Sequence, residues 1–463
     1  MSLEKGDTIM NYFMLAGASS NVGKTTVTMG IMAAFKKRGL RVKPFKTGPD
    51  YIDPMFHRFV TGEPSINLDT WMLDEETIRG LFSRRLAEND LGIVEGVMGL
   101  YDGHSLESDV GSSAYLAKTI DAPVILIIDG RGMAKSAAAM VKGYVDFDPD
   151  TKIAGVIINR ISTESHYLLL KEMIEAYNDV TCLGYFPNNP DIVMDSRHLG
   201  LVPVEEIADF RDKVDKAGAL AEAHIDLDKL WEISQHDQEV RAYADPFADY
   251  AAKYQGLRIG VPKDRAFNFY YDDNFMALKH AGVEVVPFSP LNDVSLPEPL
   301  DGLYIGGGFP EIFGAELAAN TAMIADIKSK LEAGLPCYAE CGGLMYLTNS
   351  MTLNSGETNP AVGFFEADAQ MTKRLQRFGY VNIAAYLCGK TIEIRGHEFH
   401  HSLVSTTEAL PTAYVITKKG KTWTCGYRQK NVLAGYPHIH FYSNPLFLTS
   451  LLNVVLEHQA GQA

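Results

Sequence analysis

At 463 residues the chain is too long for one ordinary core, and two or three domains are expected. Its composition, 46% hydrophobic and 22% charged, is that of a globular protein in water, and a formal net charge of −16 argues against general nucleic-acid binding. The polar start Met1–Thr8 does not read as a secretory signal, no apolar run reaches the roughly 20 residues of a membrane span, and five scattered cysteines without metal-type spacing favour a reducing cytoplasm.

The apolar run Tyr12–Ala16 predicts a buried strand. It leads into Ala18-Ser-Ser-Asn-Val-Gly-Lys-Thr25, and Thr26–Arg38 then carries apolar residues at helical spacing. A strand, a tight loop and a helix opening on Gly-Lys-Thr is the context of a phosphate-binding loop. Backbone amides at a helix N-terminus donate to phosphate oxygens, and the helix dipole adds to the attraction. Ser20, Asn21, Val22, Gly23, Lys24, Thr25 and Thr26 are therefore the expected ATP contacts. Lys24 would reach the β- and γ-phosphates, and the Thr25 hydroxyl would ligate Mg²⁺. Ala18 stands where the strict pattern has glycine, with Gly17 just before it.

Leu40–Lys46 predicts a second strand running into Thr47-Gly-Pro-Asp50-Tyr51-Ile52-Asp53-Pro54. Loops at the carboxyl ends of strands build the site of an open α/β sheet, so Asp50 and Asp53 are candidates for Mg²⁺ or substrate contacts. Turn and cap roles are the alternative. Asp69–Leu86 predicts a helix. Leu91-Gly-Ile-Val-Glu95-Gly-Val-Met-Gly99 is an apolar strand ending in a carboxylate, the usual place for a second Mg²⁺ contact opposite a phosphate loop. Further strands are expected over Ala122–Asp129, Lys152–Asn159 and Cys182–Phe186, with a helix over Lys135–Tyr144. Asn159, at a strand end, could read an adenine edge or serve as a cap. This alternation predicts a doubly wound parallel sheet. Ala217–Ser234 reads as helix. The tract 237–256, rich in charge, Ala and Tyr, reads as a linker, so that domains of 1–236 and 257–463 are expected.

The strand pattern restarts at Leu257–Val261 and continues at Val283–Phe288 and Gly302–Gly306, with helices over Asn274–Ala281 and Thr321–Ala333. Gly306-Gly-Gly308-Phe-Pro-Glu311 is a glycine-rich turn at a strand end that can present N–H groups to an oxyanion. In Pro336-Cys-Tyr-Ala-Glu340-Cys341-Gly-Gly343 an apolar strand stops at Cys341 and two glycines open a helix, the sulfur version of a nucleophile elbow. Cys337, inside the strand, fits a structural cysteine. A base is required, and histidines recur late in the chain, in Gly396-His-Glu-Phe-His-His401 and in His438-Ile-His440-Phe441. Alternation puts His438 and His440 on one strand face, and spacing does not choose between them.

Taken together, the phosphate loop, Gly-Pro-Asp-Tyr-Ile-Asp, Val-Glu-Gly-Val-Met-Gly-Leu-Tyr-Asp-Gly, Tyr-Ile-Gly-Gly-Gly-Phe-Pro-Glu, Ala-Glu-Cys-Gly-Gly and His-Ile-His-Phe resemble the cobyrinic acid a,c-diamide synthase family, in order and over nearly the whole chain. The resemblance implies an α/β protein of two doubly wound domains: a dethiobiotin-synthetase-like P-loop ATPase followed by a class I glutamine amidotransferase. It implies Cys341 as nucleophile, His438 as base, and Gly307 and Gly308 at the oxyanion. Many class I domains carry a Glu two residues after the histidine, where this chain has His440. Thr25, Asp50 and Glu95 match metal positions, and Asp50, Tyr51 and Ile52 match a loop that handles the tetrapyrrole. The expected partners are ATP, Mg²⁺, L-glutamine and a corrinoid or related tetrapyrrole polycarboxylate, with a homodimer as the family's assembly and neither nucleic acid nor membrane. Hydrogenobyrinic acid and nickel sirohydrochlorin are alternative acceptors. A P-loop regulatory ATPase carrying an inert amidotransferase-like module is a more distant alternative, disfavoured by the presence of both Cys341 and the histidines.

Overall fold

The computed structural model describes residues 10–105, 107–193, 196–197, 200–201, 209–236, 243–406 and 409–462. The polar start and part of the expected linker, 237–242, lie outside them. Two compact units divide the chain, Met1–Tyr243 and Ala244–Ala463. Of the rest of the expected linker, Tyr243 belongs to the first unit and 244–256 to the second. There Ala251–Tyr254 forms a helical turn, and the buried Tyr254 hydroxyl donates to the Thr449 carbonyl at 3.1 Å.

In the first unit, strands β1 (Met10–Gly17), β2 (Val42–Thr47), β3 (Ile66–Leu68), β4 (Leu91–Gly99), β5 (Val124–Asp129), β6 (Ile153–Ile161) and β7 (Thr181–Pro187) form a sheet in the order β3-β2-β4-β1-β5-β6-β7. All neighbours along it are parallel. The β-branched run Val124–Ile128 lies wholly buried between β1 and β6, as a strand covered on both faces must be. Helices α1 (Lys24–Lys37), α2 (Asp53–Thr61), α3 (Glu75–Leu86), α4 (Ser113–Ile120), α5 (Lys135–Phe147) and α6 (Glu164–Tyr177) make the crossovers, and α7 (Phe210–His224) packs on α1. Because β4 and β5 flank β1, the strand order reverses there, and the loop after β1 sits at that switch point.

Two helices differ from expectation for local reasons. The helix expected from Asp69 begins only at Glu75. The Asp69 carboxylate accepts from the amides of Trp71 and Met72 and holds a turn, and Asp74 then caps α3 through Thr77. The single helix expected over Ala217–Ser234 is broken at Ile225, and Asp226 recaps α8 (Leu227–Ser234) through the Lys229 amide.

In the second unit, β8 (Arg258–Pro262), β9 (Glu284–Phe288), β10 (Gly302–Ile305), β11 (Cys337–Glu340), β12 (Arg377–Leu387), β13 (Lys390–His400), β14 (Thr412–Lys418), β15 (Lys421–Gln429), β16 (Val432–Gly435) and β17 (His438–Ile439) form one mixed sheet, ordered β9-β8-β10-β11-β16-β15-β14-β12-β13-β17. The half from β9 to β16 is parallel. From β16 onward every pairing is antiparallel, an extension that the α/β reading of the sequence did not contain. Helices α9 (Asp272–His280), α10 (Thr321–Glu332), α11 (Gly342–Tyr346) and α12 (Pro445–Gln462) belong to this unit, together with a short helix Gly314–Ala319 and a separate four-stranded sheet. No described helix is long and apolar enough to cross a membrane.

Candidate active sites

The loop after β1 is shaped by backbone that few residue types tolerate. Asn21 (φ 64°) and Gly23 (φ 89°) are left-handed. A Cβ on Gly23 would collide with the Asn159 amide, and one on Gly17 would lie 2.7 Å from Val22 Cγ2. Asn159 braces the loop: its Nδ2 donates to the Val22 carbonyl at 2.7 Å and its Oδ1 accepts from the Arg160 amide at 2.8 Å. The strand-end asparagine thus acts on the loop backbone. Arg160 adds a second brace, donating to the Asn21 carbonyl at 2.7 Å.

Lys24 opens α1 and turns its ammonium back across the loop, donating to the carbonyls of Met98 at 2.6 Å and Ser19 at 3.4 Å. Burial and then the nearby Lys46 charge push the Lys24 ammonium below its ordinary range. Such a cation gains from an arriving anion. Thr25 donates to Glu95 Oε1 at 2.8 Å, so the two residues meet across β1 and β4. Glu95 is fully buried and also accepts from Lys46 Nζ at 3.1 Å, and its other oxygen lies 2.7 Å from His57 Nε2. Burial pushes this carboxyl up, but Lys46, His57 and Thr25 together hold it below the usual carboxylate range.

Lys46, at the end of β2, also binds Asp53 at short range and lies 3.9 Å from Asp50 Oδ2. Burial opposes its charge, and the three carboxylates outweigh that and raise it. Asp50 caps the turn into α2, its Oδ1 accepting from the amides of Ile52 at 2.8 Å and Asp53 at 3.1 Å. Asn67 ties the loop down through the carbonyls of Gly48 and Asp50. Tyr51 follows Asp50, and Ile52 is buried at the entry to α2.

Among the described residues no three His, Cys, Asp or Glu groups assemble into a metal cage. The oxygens present, from Thr25 and Glu95 with Asp50 at the neighbouring loop, suit a hard cation that keeps water and phosphate ligands, as Mg²⁺ does.

The second site repeats the strand-to-helix turn with different chemistry. Cys341 follows β11 with φ 48° and ψ −102°, strained for a non-glycine residue and of the kind found at a nucleophile elbow, and its side chain is buried. Its amide donates to the Gly435 carbonyl at 2.8 Å. The two following glycines are steric requirements. A Cβ on Gly342 would meet Pro310 at 2.9 Å and the Gly308 amide nitrogen at 3.2 Å, and one on Gly343 would collide with the Ile305 carbonyl. The helix therefore seats on the turn holding Gly307 and Gly308. A Cβ on Gly307 would lie 2.5 Å from His438 Cε1, so the same turn also flanks the imidazole.

His438 hydrogen-bonds the Cys341 side chain. Its Nδ1 lies 3.7 Å from Glu340 Oε2, beyond hydrogen-bond length but within ion-pair range. Burial pushes the imidazole down. The Cys341 contact and the Glu340 carboxylate outweigh it and lift His438 to about 10. Glu340 is itself held firmly, accepting from the Tyr338 hydroxyl at 2.7 Å, the Ile439 amide at 3.0 Å and the Tyr304 hydroxyl at 3.2 Å.

His440 takes another place. Strand β17 ends at Ile439, so the expected shared face is not continued. The His440 ring lies against Tyr271 with centroids 5.0 Å apart, and its Nε2 is 4.0 Å from Asp273 Oδ2. Cys341, His438 and the Gly307–Gly308 turn are brought together. Asp50 and Glu95 both meet at Lys46. The sequence reading singled out neither Lys46 nor His57, nor Glu340. A lysine closing an apolar strand and an acid just before the nucleophile were the available signals.

The family model described as the CobQ/CobB/MinD/ParA nucleotide binding domain matches residues 13–201, and that of the CobB/CobQ-like glutamine amidotransferase domain matches residues 258–446. Similar proteins named cobyrinate a,c-diamide synthase include that of Listeria innocua, 46% identical over 450 residues (96% of this chain, 99% of the relative). The protein of that name from Clostridium acetobutylicum is 44% identical (96% and 100%), and that from Caldanaerobacter subterraneus is 42% identical (93% and 95%).

Proposed function

The chain belongs to the cobyrinate a,c-diamide synthase family and is a glutamine-dependent amide ligase with a nucleotide-binding domain; from that premise we propose that it uses ATP to amidate the a and c side-chain carboxylates of cobyrinic acid, in the cytoplasm, as a step of cobalamin biosynthesis. One observation supports this best. The same chain carries a Cys341–His438 pair in one unit and, in the other, a phosphate loop whose Thr25 touches the strand-end Glu95.

In the amidotransferase unit, Cys341 Sγ attacks the amide carbon of glutamine as its proton passes to His438. The backbone amides of Gly307 and Gly308 stabilise the oxyanion. His438, which holds a proton well above neutrality, gives it to the departing ammonia. Water then hydrolyses the thioester, releasing glutamate and restoring the thiol. In the nucleotide-binding unit a substrate carboxylate attacks the γ-phosphorus of ATP and ADP leaves. Ammonia attacks the acyl phosphate carbon, and phosphate departs with formation of the amide. A carboxylate is a poor electrophile, and phosphorylation gives it a leaving group. Lys24 holds the β- and γ-phosphates in line. Mg²⁺, when bound by Thr25, Glu95 and Asp50, would neutralise phosphate charge. Lys46 and His57 keep Glu95 ionised for that role. Asp50, Tyr51 and Ile52 receive the tetrapyrrole edge. A homodimer belongs to the same proposal and is read by light scattering of the purified protein.

Mass spectrometry of purified protein with cobyrinic acid, Mg·ATP and glutamine tests the reading, with nickel sirohydrochlorin in parallel. Two successive amidations of cobyrinic acid, with little turnover of the nickel compound, are expected. Turnover of the nickel compound alone would move the protein to another pathway. Amidation of neither would remove the acceptor assignment.

A further inference from the structure

The Gly396-His-Glu-Phe-His-His segment ends β13 beside the nucleophile, and the mechanism above leaves it unused. Glu398 and His400 alternate onto one face of that strand and are 1% and 6% exposed. Each keeps one buried polar atom without a hydrogen-bond partner, Glu398 Oε2 and His400 Nε2.

The His400 ring stacks on Tyr436 with centroids 3.7 Å apart and 7° between planes. Its Nδ1 lies 2.8 Å from the Ser402 carbonyl, which fixes the proton there and leaves Nε2 as an acceptor. The Tyr436 hydroxyl lies 3.1 Å from Ser402 Oγ, which in turn donates to Met345 Sδ in the helix that Cys341 opens. His397, which precedes Glu398, pairs with His438 across β13 and β17, and Tyr436 follows Gly435, whose carbonyl accepts from the Cys341 amide at 2.8 Å. Two buried acceptor atoms, Glu398 Oε2 and His400 Nε2, therefore stand without a hydrogen-bond partner on the strand that pairs with His438, and burial of such atoms is costly unless something arrives to pair them.

We propose that Glu398 and His400 form the socket for the α-ammonium group of the donor glutamine, and so fix which amide reaches Cys341. An ammonium brings three N–H donors, enough to pair both open acceptor atoms. Glutamine's short side chain is all that separates that group from the amide carbon. The inference rests on Cys341 being the nucleophile of the proposed function.

Burial lifts the Glu398 carboxyl to about 7, offset in part by Arg377 from β12, the Trp423 indole from β15, Lys418 from β14 and His438 from β17; His400 is kept neutral. The socket is thus charged above about pH 7 and loses its charge as pH falls through that value.

Steady-state hydrolysis of glutamine and of glutaramate, its analogue lacking the α-amino group, tests the socket. The wild type should prefer glutamine by about a hundredfold or more in kcat/KM, because a site built around a polar group rejects the analogue without it. Glu398→Gln should compress that ratio to within about threefold of unity, mainly by raising KM for glutamine, in a preparation whose ammonia-driven amidation shows that it is folded. An unchanged ratio on such a preparation overturns the proposal. If the variant does not fold, the wild type decides. Its glutamine-to-glutaramate preference should fall as pH drops below about 7, while the titration of His438 cancels in the ratio. A ratio flat across that range overturns the socket. Absence of any glutamine turnover in the wild type sinks the functional reading and the socket together.

Discussion

Both units build their chemistry on a turn between a buried parallel strand and the helix that follows, yet they hold the surrounding charges in opposite ways. After β1 the loop is backed by a dense ionic cluster: Lys46 binds Asp53 and Glu95, and His57 binds Glu95 from the other side. After β11 the carboxylate that faces His438, Glu340, is held by two tyrosine hydroxyls and one backbone amide, and leaves only an ion-pair contact to His438. The difference follows the ligands. A polyphosphate and a cation bring large charges, and a site for them needs its own charges already paired and fixed before they arrive. An amide is neutral, and the amidotransferase turn needs only one oriented imidazole and backbone N–H groups.

If the two turns are separate machines, each should fail alone. Cys341→Ala removes the nucleophile and should lower glutamine-driven amidation by roughly a millionfold, the scale on which loss of a covalent nucleophile is felt, while ammonia-driven amidation persists. Loss of both activities in a folded variant would put the nucleophile assignment in error. Lys24→Ala is the mirror image. Both glutamine-driven and ammonia-driven amidation should fall by at least about a hundredfold, with glutamine hydrolysis retained, because one charged donor to the transferring phosphoryl group is lost. Sustained ammonia-driven turnover in that variant would break the ATP-dependent scheme.

Glu340→Gln sharpens the contrast on the amidotransferase side. The substitution keeps hydrogen-bonding capacity and removes the charge that helps raise His438 to about 10. For an imidazole raised in this way the protonated form is complete below its ordinary value near 6.5 and is lost as pH rises through about 10. The alkaline limb of glutamine hydrolysis should therefore lie near pH 10 in the wild type and shift to lower pH in the variant. The maximal rate should fall about tenfold to a hundredfold. A pH profile that does not move would show that Glu340 acts on packing alone.

These residues also mark what could be read from the chain. The phosphate loop and the Cys341 elbow were legible because the backbone does the work there, and backbone demands write themselves as contiguous motifs, with Gly23, Gly342 and Gly343 each in a place where a Cβ does not fit. The parallel strands were legible from their apolar runs. The Glu95 network was not, because its partners come from β2 and α2, and Lys46 and His57 acquire meaning only when β2 pairs with β4. The antiparallel strands from Arg377 to Gln429 alternate exposed and buried residues, a pattern of period two that breaks the strand–helix rhythm of the rest. Asp69 and Asp226 misled the helix boundaries because their side chains compete with the helix for backbone amides.

The smallest expected effect separates the two late histidines. On sequence they share a face, and His440 occupies the place of the glutamate found in many related domains. In the structure His438 contacts Cys341, whereas His440 is fully buried against Tyr271 and beside Asp273. We therefore expect its contribution to lie in packing around the end of β17 rather than in proton transfer. His440→Gln should lower stability by about 1–3 kcal/mol, read as a shift of the urea midpoint. The rate of glutamine hydrolysis below the melting range should change by less than about tenfold, with the alkaline limb unmoved. Loss of several hundredfold in rate at unchanged stability would instead make His440 part of the proton relay. The orienting role would then be shared between Glu340 and the Asp273 side of the imidazole pair, and the amidotransferase turn would carry a linked network closer in kind to the one behind Glu95.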